Sequence, residues 1–140
     1  MNLRLAEASD LAALVAIDPL AQRAPTRRAL LRSALECRSC WLAEEAGRVV
    51  GYAILDYTFY GNGFVSVLWV HETARRRGVG AALLNQAARV CTMPKLFTST
   101  NLSNLPMQSL LAKLGFQLSG VIHNLDPGDP ELVYFRSVRE

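Results

Sequence analysis

From residue 64 to 70 every side chain but that of Ser66 is apolar, and such a run predicts a central strand buried on both faces. A polar stretch, residues 71–77, separates it from Gly78, Val79 and Gly80. Val79, Leu83, Leu84 and Ala87 then recur at helical spacing. A buried strand, a glycine-bearing loop and an amphipathic helix in that order demand an α/β fold, because the helix must lay its apolar stripe on the sheet.

The remaining elements fit around that unit. Leu3 and Leu5 alternate with polar neighbours in a short first strand. Ser9 and Asp10 are N-cap types ahead of Leu11, Leu14, Val15 and Ile17, a helix that Pro19 follows as its stop. Thr26 is placed to cap a second helix, with Leu30, Leu31, Ala34 and Leu35 on one face. Residues 41–45 and 49–59 read as strands joined at Ala46-Gly47, and 60–63 as a second tight turn. After the glycine loop and its helix come a short strand at 96–99 and a helix at 104–113 closed by Gly115. Closing strands are predicted at 116–123 and 132–138. The expectation is a single mixed α/β domain over 1–140, its sheet mostly antiparallel and flanked by helices.

With 51% hydrophobic and 19% charged residues, the chain is a folding one rather than a disordered one. Its start lacks the basic segment and apolar run of a signal peptide, and no stretch approaches a membrane span, so a cytoplasmic protein without a membrane partner is expected. The net charge of 15 − 12 = +3 suits an anionic ligand but falls short of a nucleic-acid binder's basic stripe. Cys37 and Cys40 have CxxC spacing without a second ligand pair, so buried reduced thiols and no metal are expected.

The glycine loop carries the chemistry. The first turn of a helix leaves about four N–H groups without internal partners, at the positive end of the dipole. An anion can satisfy them, and Gly78 and Gly80 have no Cβ to keep it away. A Walker A loop is excluded, because Lys and Ser or Thr do not follow the last glycine. A dinucleotide fingerprint is excluded by Leu83, where it needs a third glycine.

The segment resembles motif A of the GCN5-related N-acetyltransferase family: Arg or Gln, two residues, Gly, any residue, then Gly or Ala. Arg75, Gly78 and Gly80 fill those places, Val70 matches the preceding strand end, and Leu83-Leu84 match the usual apolar pair. Asn104, followed by a helix and Leu114-Gly115-Phe116, resembles motif B of the same family. The likeness in element order runs from Leu3 to Val138.

The resemblance implies an acetyl-coenzyme A dependent N-acetyltransferase. The N–H groups of Arg76, Arg77, Gly78, Val79, Gly80 and Ala81, with Arg75, would hold the pyrophosphate. Backbone at Leu68 and Val70 would pair with pantetheine, the Val70 N–H serving as oxyanion donor. Asn104 would contact the pantetheine arm or else cap its helix. The acceptor would be a primary amine of a small molecule or protein, and a homodimer is common in the family.

Two departures concern proton transfer. Many members carry Glu on the strand holding Val70, but this chain has Phe64 and Ser66 there, leaving Asp56, His71 and Glu72 as candidates for the base. The usual Tyr falls on Leu111, which cannot donate a proton to the leaving thiolate; Tyr134 and Ser109 are the candidate substitutes. Asp126, Asp129 and Glu131 form an acidic turn that would attract an ammonium, or be a solvated turn shaped by Pro and Asp. A coenzyme A-binding domain without turnover is the alternative function. A nucleic-acid module built on Arg75, Arg76 and Arg77 lacks any stacking or groove-reading motif.

Overall fold

The computed structural model describes residues 1–139. Its strands are β1 (Asn2–Leu5), β2 (Cys40–Glu45), β3 (Arg48–Phe59), β4 (Asn62–Val70), β5 (Lys95–Asn101), β6 (Gln117–Ile122) and β7 (Glu131–Ser137). The helices are α1 (Leu11–Ile17), α2 (Pro19–Arg23), α3 (Pro25–Glu36), α4 (Val79–Val90) and α5 (Leu105–Lys113). One seven-stranded sheet runs in the order β1-β2-β3-β4-β5-β7-β6. The β1–β2, β2–β3, β5–β7 and β6–β7 ladders are antiparallel. The β4–β5 ladder is parallel and joins Gly63–Val65 to Leu96–Thr98. Parallel neighbours need a crossover, and α4 supplies it.

The region before β2 differs from its sequence reading. Three helices stand where two were expected, because Pro19 opens α2 instead of following a stop. Proline at the first helical position gives up only an N–H that would be unpaired anyway. The Asp18 carboxylate accepts the Leu20 N–H at 2.9 Å and completes that cap. Pro25 opens α3 in the same way, with Ala24 rather than Thr26 at the N-cap. Asp10 is turned to Arg4 and to the Glu7 N–H, closing a 3-10 turn at Ala8–Asp10.

Two compact units divide the chain: Met1–Leu55 with Val67–Ala87, and Asp56–Ser66 with the residues from Ala88 onward. The first packs Leu14, Leu31, Leu42, Tyr52 and Ile54 together with Val67, all buried. Each such leucine contributes about 2 kcal/mol of transfer free energy. In the second, Val65, Leu96, Leu111, Leu132 and Tyr134 are buried. Phe64, Phe59, Phe97 and Phe135 follow one another in that order, with ring centroids 5.0–5.8 Å apart.

Candidate functional site

The glycine loop belongs wholly to the first unit. As β4 ends, the His71 N–H donates to the Val50 carbonyl at 2.8 Å, tying the loop's start to β3. The His71 ring then accepts the Thr73 N–H and meets the Thr73 hydroxyl at 2.7 Å, capping a short 3-10 turn at Glu72–Ala74. Beyond it the backbone passes through the left-handed region twice, at Arg76 (φ 65°) and Gly78 (φ 83°). Glycine bears that conformation without strain, whereas arginine carries a cost of order 1 kcal/mol. A Cβ added at Gly78 would meet nothing within 4 Å, so the loop is open at that point.

The first helical bond of α4 runs from the Ala82 N–H to the Gly78 carbonyl at 3.0 Å. The N–H groups of Val79, Gly80 and Ala81 therefore precede the helix ladder, and they sit at the positive end of its dipole. Val79, Leu83 and Leu84 are buried and fix this end. The close seat depends on Gly51: a Cβ there would lie 2.9 Å from the Trp69 carbonyl and 3.1 Å from Val79 Cγ1.

The three arginines part company. Arg75 Nε donates to the Val70 carbonyl at 3.0 Å, and its guanidinium lies 4.9 Å from the centre of the Trp69 ring. The Trp69 Nε1–H in turn donates to the Ile17 carbonyl at 2.6 Å. Arg77 pairs with Glu45 at 2.8 Å. Arg76 is exposed, and among the described residues its side chain has no partner. Arg75 and Arg77 thus brace the loop, while the Arg76 charge is uncommitted. Nothing in the spacing of three consecutive arginines signals this division, which depends on Trp69 and Glu45.

The other expected site residues belong to the second unit, apart from Leu68, Val70, His71 and Glu72. Asn104 caps α5, its Oδ1 accepting the Met107 N–H at 3.2 Å. Ser109 is exposed on that helix, and Leu111 is fully buried. Tyr134 is 8% exposed on β7, between Thr98 of β5 and Leu118 of β6. Asp56 accepts the Thr58 N–H and hydroxyl, and His71 serves its own turn, so two of the three base candidates are engaged locally. Glu72 is exposed. The Ser66 Oγ is buried without a hydrogen-bond partner. In the acidic turn, Asp129 accepts the Ser103 N–H at 3.0 Å and its hydroxyl at 2.6 Å. Asp126 accepts from Asn101 Nδ2 at 2.9 Å, and Glu131 opens β7 opposite Asn101. Both aspartates shape the loop through these bonds.

A buried polar cluster escaped the sequence reading. Asp18 is fully buried and accepts the Tyr52 hydroxyl at 2.5 Å. Arg27 Nη1 donates to the Tyr52 oxygen at 3.2 Å and stands 3.8 Å from the Asp18 carboxylate. Burial, and then the bond to Asp18, push the Tyr52 phenol well above its ordinary pKa. Burial likewise pushes the Cys40 thiol up to about 12, so it stays protonated and inert. Cys37 is exposed, and both are free. Among the described residues no three His, Cys, Asp or Glu side chains gather as metal ligands would, and no helix is long and apolar enough to cross a membrane.

A model of the Acetyltransferase (GNAT) family matches residues 9–116. A GNAT-family acetyltransferase from Bacillus cereus ATCC 10987 is 32% identical, with a TM-score of 0.93 over 99% of this chain and 98% of its own. The ribosomal-protein-S18-alanine N-acetyltransferase of Escherichia coli shares the fold at 19% identity, with a TM-score of 0.82 over 99% of this chain and 94% of its own. A Bacillus anthracis str. Ames protein solved in complex with acetyl coenzyme A shares it at 19% identity, with a TM-score of 0.65 over 70% and 61%. Comparison with curated proteins finds no match.

Proposed function

The chain belongs to the GNAT acetyltransferase family, and on that premise we propose that it works as one domain over 1–140, transferring an acetyl group from acetyl-coenzyme A to a primary amine of a small molecule or a protein. The observation that carries this reading is the opening of α4: three amides ahead of the helix ladder, an open approach at Gly78 and an unpaired Arg76. Such a helix end suits a diphosphate. Arg76, Arg77, Gly78, Val79, Gly80 and Ala81 would hold it through their N–H groups, with Arg75 keeping the loop on the end of β4. Leu68 and Val70 follow the last paired residue of the β4–β5 ladder on their strand, and their backbone would bind the pantetheine arm.

The amine must attack as a free base. For a lysine-like group of pKa about 10.4, neutrality at pH 7 costs roughly 4.6 kcal/mol, so a proton acceptor is required. Glu72 is the exposed carboxylate candidate near the strand end. The thiol of the leaving group has a pKa near 8.5 and departs tolerably as thiolate, which lessens the need for an acid at Leu111. Tyr134 is the candidate for what protonation remains. Asn104, its oxygen committed to the α5 cap, would offer its amide N–H groups to the pantetheine. Asp126, Asp129 and Glu131 would draw in a cationic acceptor.

Titration calorimetry with acetyl-coenzyme A tests the reading. Binding is expected, and Arg76→Ala is expected to weaken it about tenfold, the worth of one charged hydrogen bond. Gly78→Glu is expected to abolish it, and no binding to the native chain would end the proposal. A second reading, a coenzyme A-binding domain without turnover, is favoured by the buried aliphatic Leu111 and the lack of a carboxylate on β4. Thiol release on a panel of amines and peptides separates the two.

A further inference from the structure

The buried cluster of Asp18, Tyr52 and Arg27 lies outside the glycine loop but is joined to it. The corner between α1 and α2, which carries Asp18, is stitched together internally. Gln22 Nε2 donates to the Val15 and Ala16 carbonyls at 3.1 and 2.9 Å, and the Gln22 N–H to the Asp18 carbonyl at 3.1 Å. Asp18 Oδ1 accepts the Leu20 N–H. The last carbonyls of a helix lack partners within it, and the one that Gln22 leaves over, that of Ile17, accepts the Trp69 indole N–H. A corner bonded in this way shifts as one body.

Side chains from two neighbouring strands hold that body to the sheet. Tyr52 of β3 donates its hydroxyl to Asp18 Oδ2, and Trp69 of β4 donates to Ile17, the residue before. Ile17 and Trp69 also pack against the core cluster that contains Tyr52. An indole has a single N–H, so the bond to Ile17 sets the way its ring faces. Arg75 lies over that face, 4.9 Å from its centre, and a cation is attracted only over the face and within about 6 Å of the centroid. Arg75 Nε in turn ties the loop to the Val70 carbonyl. Corner, ring and arginine form a continuous series, all of it within the first unit.

We propose that Asp18 and Tyr52 are positioning residues for the coenzyme: by fixing the corner they fix the Trp69 ring, and through it the Arg75 side chain that holds the loop ready for a diphosphate. The inference rests on the coenzyme A reading of the loop. Both residues act through Arg75 rather than on the ligand. Both are fully buried, where water cannot replace a lost hydrogen bond, so the pair gives the corner one place to sit. The series works in both directions, because a ligand that steadies Arg75 must steady the corner by the same factor.

Calorimetry with acetyl-coenzyme A on the native chain, Tyr52→Phe, Arg75→Ala and the double variant tests this. Tyr52→Phe keeps the ring that fills the core and loses the bond to Asp18. It is expected to weaken binding about fivefold, the low end of couplings between sites. In the Arg75→Ala background the same change is expected to have no further effect, because the series is already cut. A purely structural role for Tyr52 would weaken both backgrounds alike; that result, or full affinity in Tyr52→Phe, overturns the inference. Reciprocity supplies a measurement on the native protein. Saturating acetyl-coenzyme A should slow exchange of the Leu20 amide, which Asp18 holds, beyond any slowing of the β1 amides. Leu20 exchange that merely follows β1 also overturns the inference. A native chain that binds no acetyl-coenzyme A ends the reading of the loop and this inference together. One that binds while the two substitutions act independently leaves that reading standing and removes the inference alone.

Discussion

Arg4 and Asp10 show how much one ion pair can be asked to do. The Arg4 guanidinium, hydrogen-bonded to Asp10, holds that carboxyl below its ordinary range, and the Glu7 N–H adds to the effect. A carboxyl lowered in the folded state adds stability above the unfolded value of about 3.9, and the addition is lost as pH falls through the folded value. Arg4→Met is therefore expected to lower the melting temperature most at neutral pH. The gap between variant and native should close as pH falls below about 4. Thermal melts across a pH series check this, and a gap independent of pH would assign the effect to packing. At the same scale the loop was half legible. Gly78 and Gly80 stand where a left-handed turn and a helix start are expected, so spacing alone exposed them. The distinct duties of Arg75, Arg76 and Arg77 were hidden, because the partners of Arg75 lie five and six residues away and that of Arg77 thirty-two, while Arg76 has none among the described residues.

Among the elements, β4 and α4 were readable because burial writes itself into hydrophobic period: a near-continuous apolar run for a strand covered on both faces, and a 3.6-residue stripe for a helix. The helices before β2 were not, since a proline that closes one helix and one that opens the next look alike until the cap is seen. Asp18 settles it at Pro19, serving α2 with one oxygen and Tyr52 with the other. The seat of α4 on β3 carries its own prediction. Gly51→Ala places a methyl 2.9 Å from the Trp69 carbonyl and 3.3 Å from Leu83 Cδ1. Overpacking of that kind costs about 1–3 kcal/mol. The variant is expected to unfold at lower denaturant and to bind acetyl-coenzyme A more weakly, because the helix end must move. Melts and calorimetry on one sample check both, and an unchanged midpoint would show that the contact relaxes freely.

For the whole molecule, β3 and β4 each pass from one compact unit into the other, the boundaries falling at Leu55 and Ser66. Strands that belong to both cores make separate melting costly, so one cooperative transition is expected. Trp41 and Trp69 both report on the first unit, while far-ultraviolet dichroism reports on all elements. Coincident midpoints from the two signals are the expected result, and a fluorescence midpoint that departs from the dichroism would show the units unfolding apart. Apart from the additional helix before β2, the order of strands and helices follows from pattern at this scale. The edge position of β6 does not, because its sequence reads like that of any half-covered strand until the strand order among the described residues places it last.

Trp69 holds a cation above its ring while its indole nitrogen is fastened to the end of α1. Only one other indole, Trp41, shares its spectrum. Whatever settles on the loop and draws Arg75 even slightly aside will alter the field over an emitting chromophore, so the chain comes equipped with a built-in optical gauge of occupancy that needs no label.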